Sequence, residues 1–323
     1  MSESTENPIF IVGCPRSGTT VLATILNSHP AIATATETHF FNYISNEKKY
    51  NWKDFTEAQF ELFLDESRIV DFFSLSKITK DELREAFRKT KLTTNPNFNK
   101  KQIFNILIEA LLTKKHKTLF CEKTPQHLQN VEMIMELYPK AKVIHLIRDG
   151  RDTVNSLIKM PWRPEGLLNN SRFWQNYIKL GQKLESKFGK ESFLTVKYED
   201  LLMDPYNVVK KICEFLGVTY SESMIRRDSI ENKDSENIFS DWESTWKHKS
   251  LEEIDSTRIG AWEKELNSED QLILNWHQWK VLRDLGYEAE QVKLKLNTRL
   301  KVTTEYIKLS TKKFFRFLSF AFN

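Results

Sequence analysis

The stretch Pro8-Ile9-Phe10-Ile11-Val12-Gly13-Cys14-Pro15-Arg16-Ser17-Gly18-Thr19-Thr20 decides the fold. It begins as a short apolar run, which is typical of a buried strand. Its two glycines and the second proline then predict a turn, and the residues after Thr20 follow the spacing of one helical face. A strand, a glycine-containing loop and a helix N-terminus form a cradle for an anionic group, because the free N–H groups and the helix dipole favour negative charge there.

The loop differs from that of a nucleotide hydrolase at one position. The spacing from Gly13 to Gly18 matches G-x-x-x-x-G-K-[ST], but Thr19 stands where the lysine belongs. ATPases and kinases use that lysine on the β- and γ-phosphates, whereas here Arg16 supplies the cation. An ordinary turn between a strand and a helix is the alternative interpretation.

The segment Pro-Arg-Ser-Gly-Thr-Thr resembles the 5′-phosphosulfate loop of sulfotransferases, which use 3′-phosphoadenosine 5′-phosphosulfate (PAPS) as the sulfate donor. The resemblance implies that the phosphosulfate group is bound by Arg16, Ser17, Gly18, Thr19 and Thr20.

A second candidate anion-binding segment follows the run 143–147, which is apolar except for His145. Arg148 ends this predicted strand, and Ser156 lies eight residues later on the predicted helix. Both side chains can converge on one anion, the arginine through its planar fork and the serine through its hydroxyl. The pattern resembles the 3′-phosphate motif R-D-x-R-x-x-x-x-S of sulfotransferases. A solvated run of charges is the alternative.

The resemblance also implies the catalytic residues. Glu37-Thr-His39-Phe-Phe-Asn resembles the E-x-H-F-F segment of heparan-type sulfotransferases, in which the glutamate is the proposed base. Lys123 lies in a Glu-Lys-Thr-Pro segment that those enzymes share, with the lysine near the transferred group. From the residues alone, Glu37 and His39 fit a solvated loop pair equally well. We expect His39, two residues on, to point to the same side of an extended segment as Glu37.

Two further residues are implied as contacts of the nucleotide. Tyr198 stands in a V-x-Y-E-x-L pattern whose tyrosine commonly contacts the adenosine part. Arg258 stands in an R-x-G-x-W segment that closes over the nucleotide in several sulfotransferases. No metal-ligand spacing is present in the sequence, so no metal is predicted.

The order of the predicted elements indicates the fold class. Strands at about 8–12, 118–121, 142–147 and 192–196 alternate with helices, which predicts an α/β fold with a mainly parallel sheet flanked by helices. By the resemblance this is the P-loop nucleotide-kinase-like sulfotransferase fold. We predict a sulfotransferase domain over 1–290 and a basic, aromatic tail over 291–323. Residues 43–117 carry no legible chemistry, and whether they form a lid over the acceptor stays open.

The composition restricts the class of protein. The chain has 323 residues, 40% of them hydrophobic and 28% charged, and a net charge of +4 that is too small to predict nucleic-acid binding. Three cysteines without C-x-x-C spacing favour a reducing compartment. Because no signal-like segment and no run of about 18 apolar residues occurs, we expect a cytoplasmic protein that does not span a membrane.

The net positive charge of the chain lies in its C-terminal tail. Residues 291–323 contain eight Lys and Arg residues and one acidic residue, interleaved near the end with phenylalanines. This composition suits peripheral contact with an anionic membrane, and a terminal helix docked on its own domain is the alternative.

The function predicted from these segments is transfer of a sulfuryl group from PAPS to an acceptor hydroxyl or amine. A P-loop kinase or NTPase, and a non-catalytic nucleotide-binding module, are the competing classes. The sequence does not select the acceptor, for which a glycan, a glycolipid, a phenol and a peptide tyrosine all fit a glutamate base.

Overall fold

Five parallel strands form one sheet in the described part of the chain, in the order β2–β3–β1–β4–β5. The computed structural model describes residues 5–35, 37–45, 50–51, 55–94, 99–163, 165–225 and 256–304. The strands are β1 (Ile9–Gly13), β2 (Ile32–Ala35), β3 (Leu119–Lys123), β4 (Lys142–Ile147) and β5 (Phe193–Lys197). Strands β1 and β2 are buried along their whole length, as expected for parallel strands covered on both faces.

Helices connect the strands and make up most of the remaining described chain. They are α1 (Thr19–Asn27), α2 (Phe40–Ile44), α3 (Glu57–Leu64), α4 (Ser67–Leu75), α5 (Lys80–Thr94), α6 (Lys100–Lys115), α7 (Val131–Leu137), α8 (Gly150–Leu157), α9 (Leu167–Phe188), α10 (Tyr198–Met203), α11 (Pro205–Leu216), α12 (Ala261–Glu265) and α13 (Ser268–Asp284). Residues 296–304 are also helical.

The register of the sheet brings three strand ends together. Ile11 of β1 pairs with Lys123 at the end of β3, and Ala35 at the end of β2 pairs with Glu122 of β3. The carboxyl ends of β2, β3 and β1 are therefore neighbours along one edge of the sheet. Ligands of open parallel sheets bind outside this edge.

An aromatic cluster fixes α2 against the sheet. The Phe10 ring of β1 lies 5.7 Å from the Phe41 ring and 6.0 Å from the Phe104 ring of α6. Phe40 packs 4.7 Å from Phe104, and all four side chains are fully buried. Packing of these rings holds the start of α2, and hence the segment just before it, in a defined position.

The chain divides into two compact units. The first contains Met1–Ile147 and Leu180–Asp255, and the second contains Arg148–Lys179 and Ser256–Asn323. The sheet lies in the first unit. In the second, Val154 of α8 packs with Trp262 and Leu274, and Leu294 and Val302 pack with Leu168 and Ile273. The domain boundary predicted at residue 290 stays a prediction.

The sequence predicted the class of fold and four of its strands correctly. The segment that carries Glu37 and His39 was predicted to be extended. The chain there is a strand only over Ile32–Ala35 and becomes helical at Phe40. It turns because Phe40 and Phe41 bury their rings against α6, and a strand would send consecutive side chains to opposite faces. Most of the polar stretch 221–250 lies outside the described residues. No helix in the described ranges is both long enough and apolar enough to cross a bilayer.

Candidate active site

The loop between β1 and α1 has the backbone shape of an anion-binding nest. Arg16 and Gly18 have φ angles of 74° and 91°, in the left-handed region, and flank Ser17. Alternation of φ sign in successive residues turns their N–H groups toward one concavity. Gly13 is required for a different reason: a Cβ there would lie 2.4 Å from the carbonyl oxygen of Leu146 on β4.

The predicted phosphosulfate-binding residues lie together at the start of α1. Thr19 and Thr20 are its first two residues and are buried. Gly18 occupies the N-cap position, so no side chain caps this end of the described helix and its first N–H groups are left for an anion. The Ser17 side chain is fully buried, and its Oγ has no hydrogen-bond partner among the described residues. A buried hydroxyl without a partner at an anion-binding loop fits a phosphosulfate oxygen.

Tyr198 lies against this loop. A Cβ placed on Gly18 would be 2.2 Å from Cδ2 of the Tyr198 ring, which is 4% exposed. The tyrosine is therefore beside the predicted phosphosulfate loop. Its contact with adenosine stays a prediction.

The predicted base and the predicted lysine form an ion pair. Lys123 donates to Glu37 through Nζ and Oε1 at 2.6 Å, and the side chains are 0% and 11% exposed. A lysine buried to this degree needs a partner for its charge. Glu37 follows β2 and Lys123 ends β3, so the pair lies beside the end of β1 from which the loop departs.

His39 approaches the same carboxylate. Its Nε2 lies 3.5 Å from Glu37 Oε2. Its Nδ1 accepts from the Asn42 amide, whose oxygen in turn accepts from Asn130. In the neutral imidazole the proton is then on Nε2, which makes no hydrogen bond among the described residues. The prediction that His39 lies in an extended segment was wrong, because it is the left-handed N-cap of α2, with φ 49°. Its ring nevertheless approaches Glu37, and its catalytic role stays a prediction.

Beneath this pair lies a buried polar network that the sequence did not predict. Glu122, on β3, accepts from Thr38 and Thr124 through Oε1 and from His127 through Oε2. All four side chains are fully buried. Burial by itself would raise the pKa of the Glu122 carboxyl, but His127 and the two threonine hydroxyls outweigh it and hold that pKa below its usual range.

The predicted 3′-phosphate residues lie in the second unit. Arg148 is 7% exposed and donates from Nη2 to the backbone carbonyl of Arg258 at 2.8 Å. Ser156 lies on α8 and is half-buried. The structure therefore brings Arg148 to the R-x-G-x-W segment. The nucleotide-binding roles of Arg148, Ser156 and Arg258 stay predictions.

Asp152 of α8 binds the R-x-G-x-W segment through hydrogen bonds. Its carboxylate accepts from the backbone N–H groups of Gly260 and Trp262, both at 2.9 Å, at the start of α12. Burial raises the pKa of this carboxyl above its ordinary value, against the lowering effect of the Arg148 guanidinium. Arg151 is a structural residue: its guanidinium binds Asp149 and stacks 4.2 Å above the Trp262 ring.

Among the described residues, no group of three or more His, Cys, Asp and Glu side chains is arranged to hold a metal ion.

Comparison with known proteins then identifies the family. The sequence profile of the sulfotransferase family matches residues 8–222. The chain belongs to the sulfotransferase family. The match includes the phosphosulfate loop, the Glu37 segment, Lys123, Arg148 and Tyr198, so most of the predicted site lies within the shared region.

The relatives of this sulfotransferase sequence include tyrosine-modifying enzymes. Protein-tyrosine sulfotransferase A of Caenorhabditis elegans is 27% identical over 232 residues, covering 70% of this chain and 54% of the relative. The protein-tyrosine sulfotransferase of Drosophila melanogaster is 28% identical over 230 residues, covering 70% of this chain and 41% of the relative. The chain thus matches about half the length of these relatives.

Solved sulfotransferase structures share the fold. The sulfotransferase domain from the olefin synthase of Synechococcus PCC 7002 superposes with a TM-score of 0.62 at 21% identity, covering 88% of this chain and 97% of that domain. The sulfotransferase domain from the curacin biosynthetic pathway gives a TM-score of 0.56 at 20% identity, covering 88% and 99%. The predicted fold class is confirmed.

Proposed function

We propose that this protein transfers the sulfuryl group of PAPS to an acceptor hydroxyl, with Glu37 as general base. The observation that carries the proposal is the Glu37–Lys123 ion pair at the ends of β2 and β3, beside the end of β1 from which the phosphosulfate loop departs. Membership of the sulfotransferase family supports the reaction class.

The donor would be held by the loop in the first unit. The N–H groups around Arg16 and Gly18, the buried hydroxyl of Ser17 and the start of α1 suit the oxygens of a phosphosulfate group. The assignment of the 3′-phosphate to Arg148 and Ser156 rests on the sequence motif, and it stays a prediction for PAPS itself.

The reaction balances with the residues present. The acceptor oxygen forms a bond to sulfur while the bond from sulfur to the phosphate oxygen of the donor breaks. The acceptor proton passes to Glu37, and the leaving group is adenosine 3′,5′-bisphosphate. Lys123 Nζ donates a hydrogen bond to Glu37 in this structure. Its positive charge offsets the negative charge that grows on the departing oxygen. His39 then keeps a hydrogen-bond donor beside the carboxylate.

The acceptor is a separate question. The named relatives are protein-tyrosine sulfotransferases, and a phenolic hydroxyl on a peptide is therefore the first acceptor to test. Glycans and glycolipids remain candidates because a glutamate base serves any hydroxyl whose proton it can reach.

The test is sulfate transfer by the full chain from ³⁵S-labelled PAPS into cell extract and into a panel of tyrosine peptides, phenols and oligosaccharides. Mass spectrometry then identifies the labelled product. We expect a sulfated product and release of adenosine 3′,5′-bisphosphate. Binding of this nucleotide without turnover on any acceptor would favour a non-catalytic module, and Mg²⁺-dependent ATP binding in its place would favour a kinase or NTPase.

A further inference from the structure

The segment that carries Glu37 is attached to the end of β3 by the polar groups around Glu122. Three side chains take part together with this carboxylate, and we call the four residues the Glu122 network: Thr38, Glu122, Thr124 and His127. All are fully buried, so none of them can touch a substrate.

The carboxylate of Glu122 is satisfied on both oxygens. Oε1 accepts from Thr38 N at 3.2 Å, Thr38 Oγ1 at 2.9 Å and Thr124 Oγ1 at 2.5 Å. Oε2 accepts from His127 Nδ1 at 2.8 Å. Because a buried charge is tolerated only when hydrogen bonds replace its hydration, these four donors must keep their places for the site to remain folded.

The tautomer of the neutral His127 ring follows from one further contact. Phe41 donates its backbone N–H to His127 Nε2 at 3.3 Å, so that this nitrogen is the acceptor. The proton of the neutral imidazole is therefore on Nδ1, where it is donated to Glu122. An anionic Glu122 and a single tautomer of His127 together satisfy every one of these contacts.

The network determines where the Glu37 segment runs. Three backbone N–H groups of this segment donate to the network. Thr38 N–H donates to Glu122, and His39 N–H donates to Thr124. Phe41 N–H donates to His127. Lys123 and Glu122 are consecutive on β3 and point to opposite faces, and they bind the consecutive residues Glu37 and Thr38. The segment is thus held from both sides, with the catalytic pair on one and the buried network on the other.

We propose that Glu122 is a positioning residue of the active site, which acts through Thr38, Thr124 and His127 to hold Glu37 where it accepts the acceptor proton. The inference rests on the proposed role of Glu37 as base. A purely structural role in the core is the competing explanation, and the two differ in how Glu122 and Glu37 variants combine.

The Glu122→Gln variant removes the charge and keeps the shape. The glutamine amide can be placed in two ways. If its oxygen faces Thr38 and Thr124, its NH₂ group faces the N–H of His127. If the amide is flipped, its NH₂ group faces the Thr38 N–H. A change of the His127 tautomer would only move the conflict to Phe41. Either way one buried donor faces another, so we expect the 37–41 segment to shift.

The first measurement is independent of activity. Amide hydrogen exchange at Thr38, His39 and Phe41 should be roughly tenfold or more faster in Glu122→Gln, because the bonds that protect these amides open more often. Glu61→Gln, at a carboxylate on α3 that binds Arg84, is the matched control and should leave these amides at the wild-type rate. Unchanged exchange in Glu122→Gln would overturn the proposal.

The second measurement is a double-variant cycle on turnover. Glu122→Gln should lower kcat by about 10²-fold, the usual effect of a displacement near 1 Å, with adenosine 3′,5′-bisphosphate binding unchanged. Glu37→Gln should then cost less in the Glu122→Gln background than in the wild type, because the base is already displaced. Equal costs in both backgrounds would overturn the proposal. If Glu37→Gln alone has no effect, the proposed base is wrong and the inference fails with it. Faster exchange in Glu122→Gln would then show only that the Glu122 network holds the 37–41 segment.

Thr124 offers a milder pair of variants, should Glu122→Gln fail to fold. Thr124→Val loses both the donor to Glu122 and the acceptor of the His39 N–H, whereas Thr124→Ser retains both. We expect roughly tenfold or more lower kcat for the valine variant, which loses two hydrogen bonds, and near wild-type kcat for the serine variant. Equal behaviour of the two would contradict the role of the network.

Discussion

Replacement of Gly18 by alanine tests the geometry of the phosphosulfate loop most sharply. Two costs arise, and the structure separates them. The φ of 91° is unfavourable for an alanine by about 1–2 kcal/mol. In addition, the new Cβ would lie 2.2 Å from Cδ2 and 2.5 Å from Cε2 of Tyr198, where carbon atoms in contact are about 3.5–4.0 Å apart. Displacement of the packed ring adds about 1–3 kcal/mol.

Gly217 provides the matched control. It also has a left-handed φ, 72°, but apart from its chain neighbours no atom of the described residues lies within 4 Å of the position of its Cβ. Gly217→Ala should therefore lower the free energy of unfolding by only about 1–2 kcal/mol, and Gly18→Ala by about 2–5 kcal/mol. Urea unfolding of the full chain, followed by circular dichroism at one temperature, measures both values.

A third variant tests whether the Tyr198 ring causes the extra cost of Gly18→Ala. In a Tyr198→Ala background the clash is absent, so Gly18→Ala should cost no more than Gly217→Ala, a coupling of about 1–3 kcal/mol. The reasoning fails if Gly18→Ala and Gly217→Ala cost the same in the wild-type chain. It also fails if the extra cost of Gly18→Ala persists without the ring.

Three further predictions concern the nucleotide, pH and the tail. Arg148→Ala should weaken binding of adenosine 3′,5′-bisphosphate by roughly 30- to 150-fold, about 2–3 kcal/mol for a charged contact, and unchanged affinity in calorimetry would contradict its assignment. Burial lowers the pKa of His145 from 6.5 to about 3, so the unfolded chain binds one more proton between these values and stability falls as the pH falls. As the pH falls, His145 should therefore lower the free energy of unfolding by about 1.4 kcal/mol per pH unit. The free energy of unfolding of His145→Gln should depend less steeply on pH between pH 6 and 5, and an equal dependence would refute this. Full-length protein should sediment with anionic vesicles more than a chain ending at residue 304, because the removed residues carry basic and phenylalanine side chains; equal pelleting would remove the membrane proposal.

The choice of residue 304 for that truncation follows from packing. Leu294 and Val302 are 5% exposed each and pack with Leu168 and Ile273, so removal of everything after 290 would damage the second unit. Leu296 and Leu300, by contrast, are 72% and 59% exposed on the same helical stretch.

Helices whose ends are set by nearby residues could be predicted from the sequence. The helix after the phosphosulfate loop begins at Thr19, and α11 begins after Asp204, whose side chain accepts from Asn207 N, and ends at the left-handed Gly217. Capping residues and apolar periodicity act within a few positions, so a reading of the chain finds them.

The contacts inside the site could be predicted only in part. Glu37 and Lys123 were each singled out, but their ion pair joins residues 86 positions apart and depends on the adjacency of β2 and β3. The Glu122 network was missed for the same reason, because Thr38 and Glu122 are 84 positions apart. The sequence signal that could have indicated this network is the E-K-T-P-Q-H segment, in which a glutamate and a histidine five residues apart flank a proline turn.

The role of Glu37 is the central claim, and one substitution tests it. Glu37→Gln keeps the shape of the side chain and removes its basicity, so its turnover with PAPS and the identified acceptor should fall by about 10²–10⁴-fold. Its affinity for adenosine 3′,5′-bisphosphate should stay at the wild-type value, which shows that the phosphosulfate loop is intact. A turnover within a few-fold of wild type, with normal nucleotide binding, would contradict the account and make His39 the next candidate for the base.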